Sequence, residues 1–191
     1  MSAIQPDLFA PAPVGLPDGF LYRPEFIPEA QARKLVDRFA DLDFRPYEFR
    51  GFLANRRVVS FGRVYDAAGG GLESGPPIPE FLLPLRAQAA AFAGVKDASL
   101  KHVLINEYRP GASIGWHRDR PQFGDVIGVS LGAPGLLRFR RRRGAGWERA
   151  AITAEPRSAY LLRGPARRDW QHSLPELDAL RYSVTFRTLA V

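Results

Sequence analysis

The hydrophobic pattern of this chain changes its period near Leu100, and this change restricts the possible folds more than any other feature. Before it, apolar residues recur at helical spacing after Pro28, and a second helix is predicted from about Pro79 to Ala93. After it, apolar and polar residues alternate, which is the period of a β-strand. Two helices followed by many short strands predict an α+β protein whose second half is a β-sandwich or barrel.

Short strand-like segments follow this change, and glycine or proline separates most of them. The predicted strands lie at about 125–131, 136–141, 147–153, 159–163 and 181–188. Between the two helices, residues 44–65 are aromatic and basic, and residues 67–79 are rich in glycine and proline and predict a loop. Residues 1–18 contain four prolines and no periodic pattern, so we expect a flexible tail before a single domain over 19–191.

Composition excludes several classes of protein. The chain has no cysteine, which excludes disulfides, thiolate metal sites and cysteine nucleophiles. No apolar run approaches the roughly 18 residues of a membrane span, and the first residues lack a secretory leader, so a cytoplasmic protein is expected. The net charge is +7, and only three of the 27 basic residues are lysines. Arginine-rich positive charge favours nucleic acid as a partner, although an arginine-biased genome would give the same composition.

Two of the three histidines form a pattern typical of a metal site. His117 and Asp119 lie at positions i and i+2, on one side of an extended segment, and His172 follows 53 residues after Asp119. Two imidazoles and one carboxylate form the facial triad of non-haem Fe(II) oxygenases. The alternative is that His117 is a surface residue and His172 an ordinary core histidine.

The last predicted strand has a polar face. Alternation places Arg181, Ser183 and Arg187 together on the face opposite the apolar residues. The two arginines lie about 20 Å apart along the strand, so they cannot both bind one small carboxylate, but they can bracket a dicarboxylate and a metal from two ends. Asn106 and Tyr108 share a face of an earlier strand. The alternative is that both arginines face solvent.

These motifs together resemble the AlkB-like 2-oxoglutarate- and Fe(II)-dependent dioxygenases. The resemblance spans roughly residues 19–189 and rests on four motifs in the family's order: Asn106-Glu107-Tyr108, His117-x-Asp119, His172 and the ending from Arg181 to Arg187. It implies a double-stranded β-helix, or jelly roll, over about 100–189, with the N-terminal helices packed outside. It also implies a nucleotide-recognition lid at about 44–66.

The resemblance further implies cofactors, site residues and an activity. Fe(II) would bind to His117, Asp119 and His172, and 2-oxoglutarate would be held by five residues: Asn106, Tyr108, Arg181, Ser183 and Arg187. Decarboxylation of 2-oxoglutarate by O2 would be coupled to hydroxylation of an N-alkyl carbon on a damaged base, with release of an aldehyde and a role in DNA repair. The alternative is a protein or small-molecule hydroxylase on the same scaffold.

Seven aromatic and basic residues are candidates for contact with the nucleic acid: Trp116, Arg56, Arg57, Phe61, Tyr65, Arg140 and Arg142. The aromatic residues would stack on a base and the arginines would contact phosphates. Arg140 and Arg142 belong to the basic run 138–143, in which alternation predicts that Phe139 faces the other way. Some relatives have an acidic residue two positions after the ligand aspartate. Pro121 stands there in this chain, which leaves base selection to Asp125 or to the lid.

One motif in the predicted tail suggests a protein partner. The segment Gln5–Phe9 resembles the Gln-x-x-Leu-Phe motif that attaches bacterial replication and repair proteins to the sliding clamp. Such a tether would raise the effective concentration of the enzyme at newly copied DNA. The alternative is that Leu8 and Phe9 pack on the enzyme's own surface. We otherwise expect a monomer that acts on DNA, with RNA as the second possibility.

Overall fold

The computed structural model describes residues 15–49, 52–65 and 71–190, and the structural statements below concern these residues. Their strands are β1 (Phe20–Arg23), β2 (Arg45–Phe49), β3 (Phe52–Tyr65), β4 (Leu72–Ser74), β5 (Leu100–Tyr108), β6 (Ile114–His117), β7 (Phe123–Gly132), β8 (Gly135–Arg143), β9 (Gly146–Ala154), β10 (Ala159–Leu162), β11 (Gln171–Leu174) and β12 (Arg181–Leu189). Their helices are α1 (Glu29–Phe39), α2 (Leu83–Ala93) and α3 (Gly164–Arg168), with 3-10 turns at Glu80–Leu82 and Asp97–Ser99.

The strands form two antiparallel sheets. The major sheet has the order β1-β10-β7-β12-β5-β3-β2, with β4 attached to β3, and the minor sheet has the order β6-β11-β8-β9. Phe139 of the minor sheet and Tyr160 of the major sheet belong to one buried apolar cluster, so the two sheets face each other. This architecture confirms the predicted jelly roll. None of the helices in the described ranges is long and apolar enough to cross a bilayer.

Alternation along the major sheet separates two environments. On β12, the side chains of Tyr182, Val184 and Phe186 face the helices and pack in the largest apolar cluster, together with Leu35 of α1 and Leu85 of α2. Burial of these apolar side chains is the main favourable contribution to the stability of this half of the molecule. The helices therefore cover the outside of the major sheet.

The opposite face of β12 is turned toward the minor sheet and is polar. Its residues Arg181, Ser183, Thr185 and Arg187 are only 3%, 4%, 4% and 7% exposed. The predicted polar face is therefore confirmed, and the alternative in which both arginines face solvent is wrong. Buried arginines need partners, because a charge without compensation costs several kcal/mol in the interior.

The predicted elements agree with the structure where they are long. Both predicted helices are present as α1 and α2, and the five predicted strands are β7, β8, β9, β10 and β12. Residues 67–79, predicted as a loop, contain β4 in their described part. Six strands and one α-helix of the described residues were not predicted: β1, β2, β3, β4, β6, β11 and α3. All but the 14-residue β3 have only three to five residues, which is too short to establish a period.

The stretch expected as a lid contains β2 and β3, and β3 pairs with β5 in the major sheet. Alternation along β3 places Arg57 and Phe61 on the face covered by the helices. Phe61 is 7% exposed and belongs to the apolar cluster there. Arg57 forms an ion pair with Glu107 on β5, 2.7 Å from Nε to Oε1. Phe61 packs in the core, which argues against its stacking on a base, and the contact of Arg57 with a phosphate stays a prediction.

The end of the predicted tail is attached to the fold. The backbone oxygen of Asp18 accepts a hydrogen bond from the nitrogen of Ala166 in α3 at 2.8 Å. Gly19 has φ of +82°, and a Cβ there would lie 2.1 Å from the backbone oxygen of Arg163, so only glycine permits this approach. The segment Gln5–Phe9 lies outside the described residues, and its contact with the sliding clamp stays a prediction.

Glu107 joins β3 to β5 from within the helix-covered side. Its side chain is 6% exposed and accepts two hydrogen bonds from Arg57, at 2.7 and 2.9 Å, and one from Arg109 at 3.0 Å. Burial alone would raise the pKa of Glu107, but the hydrogen bonds and charges of Arg57 and Arg109 outweigh it and hold the pKa below its usual range.

Glu107 therefore makes the stability of the fold depend on pH. Because the pKa is lower in the folded state, its contribution is present at neutral pH and is lost as the pH falls through the folded pKa. We expect Glu107→Gln to lower the free energy of unfolding at pH 7 by about 2 kcal/mol and to flatten the acid side of the stability profile, measured by urea unfolding between pH 3 and 7. Glu29→Gln is the matched control, because that exposed carboxylate should leave the profile unchanged. An unaltered profile for Glu107→Gln would contradict this role.

Candidate active site

The minor sheet brings the two predicted histidine ligands together. His117 ends β6, His172 lies in β11, and the two residues are direct partners across the strands. Their ring centres are 4.3 Å apart. Asp119 follows two residues after His117, and its Oδ2 lies 3.6 Å from His172 Nε2. Three side chains that the sequence separates by up to 55 residues are therefore neighbours between the sheets.

All three side chains have the protonation states that metal ligands require. Burial lowers the pKa of His172 to about 3 and also lowers the pKa of His117, so both imidazoles are neutral. His117 Nδ1 lies 2.9 Å from the backbone oxygen of Gly115, which places the ring proton on Nδ1 and leaves Nε2 free. Burial alone would raise the pKa of Asp119, but Arg187 and the two imidazoles hold it below its usual range, and the carboxylate is ionised.

The three side chains fit Fe(II) in donor type and in proximity. Two donors that each lie about 2.1 Å from one ion are at most about 4.2 Å apart, so the 3.6 Å between Asp119 and His172 is compatible with a shared ion. The donor atoms of these three side chains do not yet surround a single point at metal-ligand distances. No other group of three or more histidine, cysteine, aspartate or glutamate side chains in the described ranges does so either. Asp119 directs its second oxygen, Oδ1, toward Arg187.

The buried polar face of β12, formed by Arg181, Ser183, Thr185 and Arg187, is called the polar stripe below. Arg187 lies at the end of this stripe that is next to the candidate metal ligands. Its Nε and Nη2 donate to Asp119 Oδ1 at 3.0 and 2.8 Å. Its Nη1 lies 3.1 Å from Nδ1 of His102, the third histidine of the chain. Sequence reasoning did not assign His102 to the site. The available signal was alternation, because His102 shares a strand face with Asn106 and Tyr108.

Arg181 lies at the other end of the stripe and is less completely paired. Its Nη2 donates to Ser130 Oγ at 2.7 Å, and its guanidinium lies 5.4 Å from the ring of Tyr108. Its Nε is buried without a hydrogen-bond partner. A Cβ at Gly135 would lie 2.9 Å from this nitrogen, so glycine leaves the space beside it open. An unpaired guanidinium N–H in a buried position is well suited to bind a carboxylate.

Between the two arginines, the stripe is lined by polar side chains of several strands. Asn106 Oδ1 accepts a hydrogen bond from Arg56 Nε at 3.2 Å, and the Arg56 guanidinium lies 3.9 Å from the ring centre of Tyr47. Arg56 is 8% exposed and therefore lines the pocket instead of the outer surface. Ser183 Oγ lies 3.5 Å from Thr185 Oγ1.

Tyr160 is a further residue of the pocket that sequence reasoning missed. A Cβ at Gly128 would lie 2.2 Å from its ring, so this glycine provides the space for the phenol. Burial raises the pKa of Tyr160, which also responds to the charges of Arg181 and Asp119. The phenol therefore lies between the two ends of the stripe and stays protonated at neutral pH.

The residues of the pocket all lie within the part of the chain that matches a known sequence family. Residues 19–187 match the 2OG-Fe(II) oxygenase superfamily. The chain belongs to this family. The match confirms the enzyme class and the expected cofactors of the family, which are Fe(II), 2-oxoglutarate and O2.

The relatives of this oxygenase carry AlkB-type names. It is 27% identical over 196 residues to the alkylated DNA repair protein ALKBH8 homolog of Arabidopsis thaliana, covering 89% of this chain and 55% of that protein. It is 29% identical over 126 residues to the probable RNA/DNA demethylase ALKBH6 of Danio rerio, covering 65% and 51%. The oxygenase spans about half the length of these relatives. Their names confirm the AlkB-like resemblance.

A solved structure supports the fold of the oxygenase. The structure of OsALKBH1 superimposes with a TM-score of 0.70 at 16% sequence identity, covering 89% of this chain and 96% of that chain. At this identity the likeness establishes the jelly roll alone.

The outer face of the minor sheet carries three of the predicted nucleic-acid contacts, Trp116, Arg140 and Arg142. Phe139 is fully buried between the sheets, and Arg138, Arg140 and Arg142 lie on the opposite face, as alternation predicted. The Arg140 guanidinium lies between two indoles, 4.4 Å from the ring of Trp116 and 4.4 Å from that of Trp147. Arg142 also lies over Trp147, at 5.1 Å.

The loop after Asp119 is held by a residue that sequence reasoning missed. Arg167 of α3 is buried, and its guanidinium donates to the backbone oxygens of Arg120, Phe123 and Gly124 at 2.6, 2.7 and 3.0 Å. Pro121 lies within this loop. The buried guanidinium of Arg167 therefore holds the loop that follows Asp119 in place.

Two further candidates, Tyr65 and Asp125, lie in different surroundings. Tyr65 lies 3.5 Å from the guanidinium of Arg120, beside the loop that carries Asp119. Asp125 forms an ion pair with Arg163, 2.6 Å from Nη2 to Oδ2. Arg163 also donates to the backbone oxygen of Ala93 in α2 at 2.7 Å, so the carboxylate of Asp125 lies on the helix-covered side, away from the pocket. The prediction that Asp125 selects the base is wrong.

Proposed function

We propose that this oxygenase removes alkyl groups from nucleic-acid bases by oxidation. The AlkB-type relatives, named for DNA repair and for RNA/DNA demethylation, support this class of substrate. Bound Fe(II) would supply the activation of O2: one oxygen atom would enter succinate as 2-oxoglutarate loses CO2, and the other would hydroxylate an N-alkyl carbon. The hydroxylated group would then leave as an aldehyde and return the N–H of the base. The proposal includes a role in DNA repair, which the relative named for alkylated DNA repair supports.

The residues of the pocket divide this work between the two ends of the stripe. In this proposal His117, Asp119 and His172 hold the metal through two neutral imidazoles and one carboxylate. Arg181 binds the far carboxylate of 2-oxoglutarate through its unpaired Nε, beside the hydroxyl of Tyr108. The buried polar stripe keeps both ends apart and excludes bulk water from the space between them.

Asn106, Ser183 and Arg187 complete the proposed co-substrate site. Asn106 would donate a hydrogen bond from its amide nitrogen to the metal-chelating end of 2-oxoglutarate, because its amide oxygen already accepts one from Arg56. Ser183 lies beside Asn106 across the strands and contributes a smaller polar contact. Arg187 compensates the negative charge of Asp119 at Oδ1, while the other oxygen of the same carboxylate, Oδ2, would bind the metal.

The choice of nucleic acid over other substrates rests on the outer face of the minor sheet. Four arginines and two tryptophans share this face: Arg138, Arg140, Arg142, Arg149, Trp116 and Trp147. None of the described outward residues of β6, β8, β9 and β11 is acidic. Trp116 directly precedes His117, so this cationic face adjoins the metal end. Interleaved aromatic and arginine side chains suit a polynucleotide strand.

The deciding experiment is turnover on matched substrates. Protein loaded anaerobically with Fe(II) and 2-oxoglutarate should release formaldehyde from methylated oligonucleotides, tested as single- and double-stranded DNA and RNA. A duplex substrate must present the base outside the stack, so single strands should react faster. The enzyme could instead consume 2-oxoglutarate with a protein or small-molecule substrate and give no product from a broad panel of methylated and etheno bases. That result would establish the alternative function, a protein or small-molecule hydroxylase.

The cationic face predicts the salt dependence of binding. We expect Arg140→Ser combined with Arg142→Ser to reduce the slope of log Kd against log salt by about 0.7 to 0.9 for each lost phosphate contact. Fluorescence anisotropy with a labelled oligonucleotide between 50 and 200 mM salt measures the slope. Arg33→Ser is the matched control, because this exposed arginine lies on α1 and pairs with Glu29. A slope that stays the same in the double variant would remove this face from the interface.

A further inference from the structure

We propose that His102 is a positioning residue that holds Arg187 on Asp119 and thereby presents the other carboxylate oxygen to the metal. The proposal rests on the proposed function, because it takes Asp119 as a metal ligand. It assigns a role to His102, the histidine that is not part of the motif formed by His117, Asp119 and His172.

His102 and Arg187 are joined at the level of the backbone. They are direct partners across β5 and β12. The Arg187 Nη1 lies 3.1 Å from His102 Nδ1, so the guanidinium donates and the imidazole accepts. The register of the two central strands therefore fixes the distance between them. Both residues are buried, at 5% and 7% exposed, so water does not compete for this hydrogen bond.

The imidazole is held as an acceptor by its surroundings. Its ring packs on Phe123 with ring centres 4.6 Å apart, and the Arg187 guanidinium lies 5.4 Å from the same phenyl ring. Burial and the adjacent positive charge of Arg187 lower the pKa of His102 to about 2. The ring is therefore neutral, and since Nδ1 faces a donor, its proton lies on Nε2.

The donors of Arg187 are divided between two acceptors. Nε and Nη2 both point to Asp119 Oδ1, at 3.0 and 2.8 Å, and Nη1 points to His102. A planar guanidinium with acceptors on two sides has one orientation. With Oδ1 held in this way, Oδ2 of Asp119 is left toward His172 Nε2 at 3.6 Å. His102 therefore acts on the metal through two intervening side chains without touching it.

Removal of the acceptor gives a specific expectation. Partners that orient metal ligands typically change metal affinity by about 10- to 100-fold when they are lost, and His102 stands one residue further away. We expect His102→Leu, which keeps the volume without an acceptor, to weaken the binding of Mn(II) by about tenfold. His102→Asn should bind Mn(II) within about threefold of the wild type, because its Oδ1 takes the place of Nδ1.

The measurement is calorimetric titration of the metal-free, full-length protein with Mn(II) alone. Equal affinity of His102→Leu and wild type overturns the proposal, and so does equal weakening of the Leu and Asn variants, which would indicate packing alone. His172→Ala separates this result from the proposed function. If that variant binds Mn(II) like the wild type, the metal site itself is elsewhere. The absence of nucleic acid makes the titration independent of the substrate.

A second readout uses the wild-type protein and does not depend on the folding of any variant. In protein labelled with ¹⁵N at histidine, the His102 ring should show a protonated Nε2 and a bare, hydrogen-bonded Nδ1 at pH 7. A ring with the proton on Nδ1, or with both nitrogens protonated, contradicts the acceptor role.

Discussion

Replacement of His172 with alanine should lower kcat/KM for an alkylated oligonucleotide by at least about a thousandfold, which exceeds the 10- to 100-fold typical of residues that only support a metal ligand. The side chain is 12% exposed and lies between His117 and Asp119, the other two proposed ligands. Its loss leaves one imidazole and one carboxylate, which is too few protein donors for a facial triad.

The loss should be specific to chemistry and not to folding. Burial keeps His172 neutral, so its removal leaves no unpaired charge behind. We expect the thermal midpoint of the metal-free variant to stay within a few degrees of the wild type, and its bound iron, measured after loading and desalting, to fall sharply. Gln31→Ala is the control, because Gln31 lies on α1 and bonds to Gln88, away from the candidate ligands and from the cationic face. Turnover of His172→Ala within tenfold of the wild type would exclude it as a ligand.

Replacement of Arg181 with methionine should raise the KM for 2-oxoglutarate by at least about a hundredfold. Its guanidinium is buried and its Nε has no partner, so a bound carboxylate would gain charge-assisted hydrogen bonds there. Each such bond contributes about 1.5 to 3 kcal/mol, and a hundredfold change in affinity corresponds to about 2.7 kcal/mol. Steady-state rates at varied 2-oxoglutarate and saturating oligonucleotide measure the effect.

The same variant should fold at least as well as the wild type without its co-substrate. Arg181 forms no ion pair in the described part of the chain, and an apolar residue of similar volume in place of a buried charge is often neutral or stabilising. The thermal midpoint of the free protein should therefore hardly change, while its rise on addition of 2-oxoglutarate disappears. Ser183→Ala should have a much smaller effect on KM, since the hydroxyl of Ser183 reaches only Thr185 among the described side chains. A variant that keeps the stabilisation by 2-oxoglutarate would contradict the role of Arg181.

The two arginines of β12 therefore differ in how completely the protein itself pairs their guanidinium groups. Arg187 is compensated within the protein by Asp119 and His102. Among the described residues, Arg181 has only the hydroxyl of Ser130 and the face of Tyr108 as partners. A buried charge without a partner is unfavourable, so an anionic ligand would bind most strongly at the Arg181 end of the stripe. This asymmetry explains why Arg181→Met is expected to act on co-substrate affinity.

The amino-acid sequence by itself determined the elements and the residue types of the site. Long periodic segments specify α1, α2 and the central strands, because their period follows from backbone geometry alone. Alternation along β12 also separates its polar and apolar residues without any tertiary information. The spacing of His117, Asp119 and His172, and the ending from Arg181 to Arg187, identify the family from linear order.

Only the tertiary structure decided which face of each strand reaches the pocket. Alternation shows that Arg56 and Arg57 point in opposite directions, but the packing of α1 and α2 on one side makes Arg56 line the pocket and pairs Arg57 with Glu107. The pairing of His102 with Arg187 depends on the register of strands 85 residues apart. Contacts of this kind arise from the burial of distant segments against each other, and no local pattern in the chain encodes them.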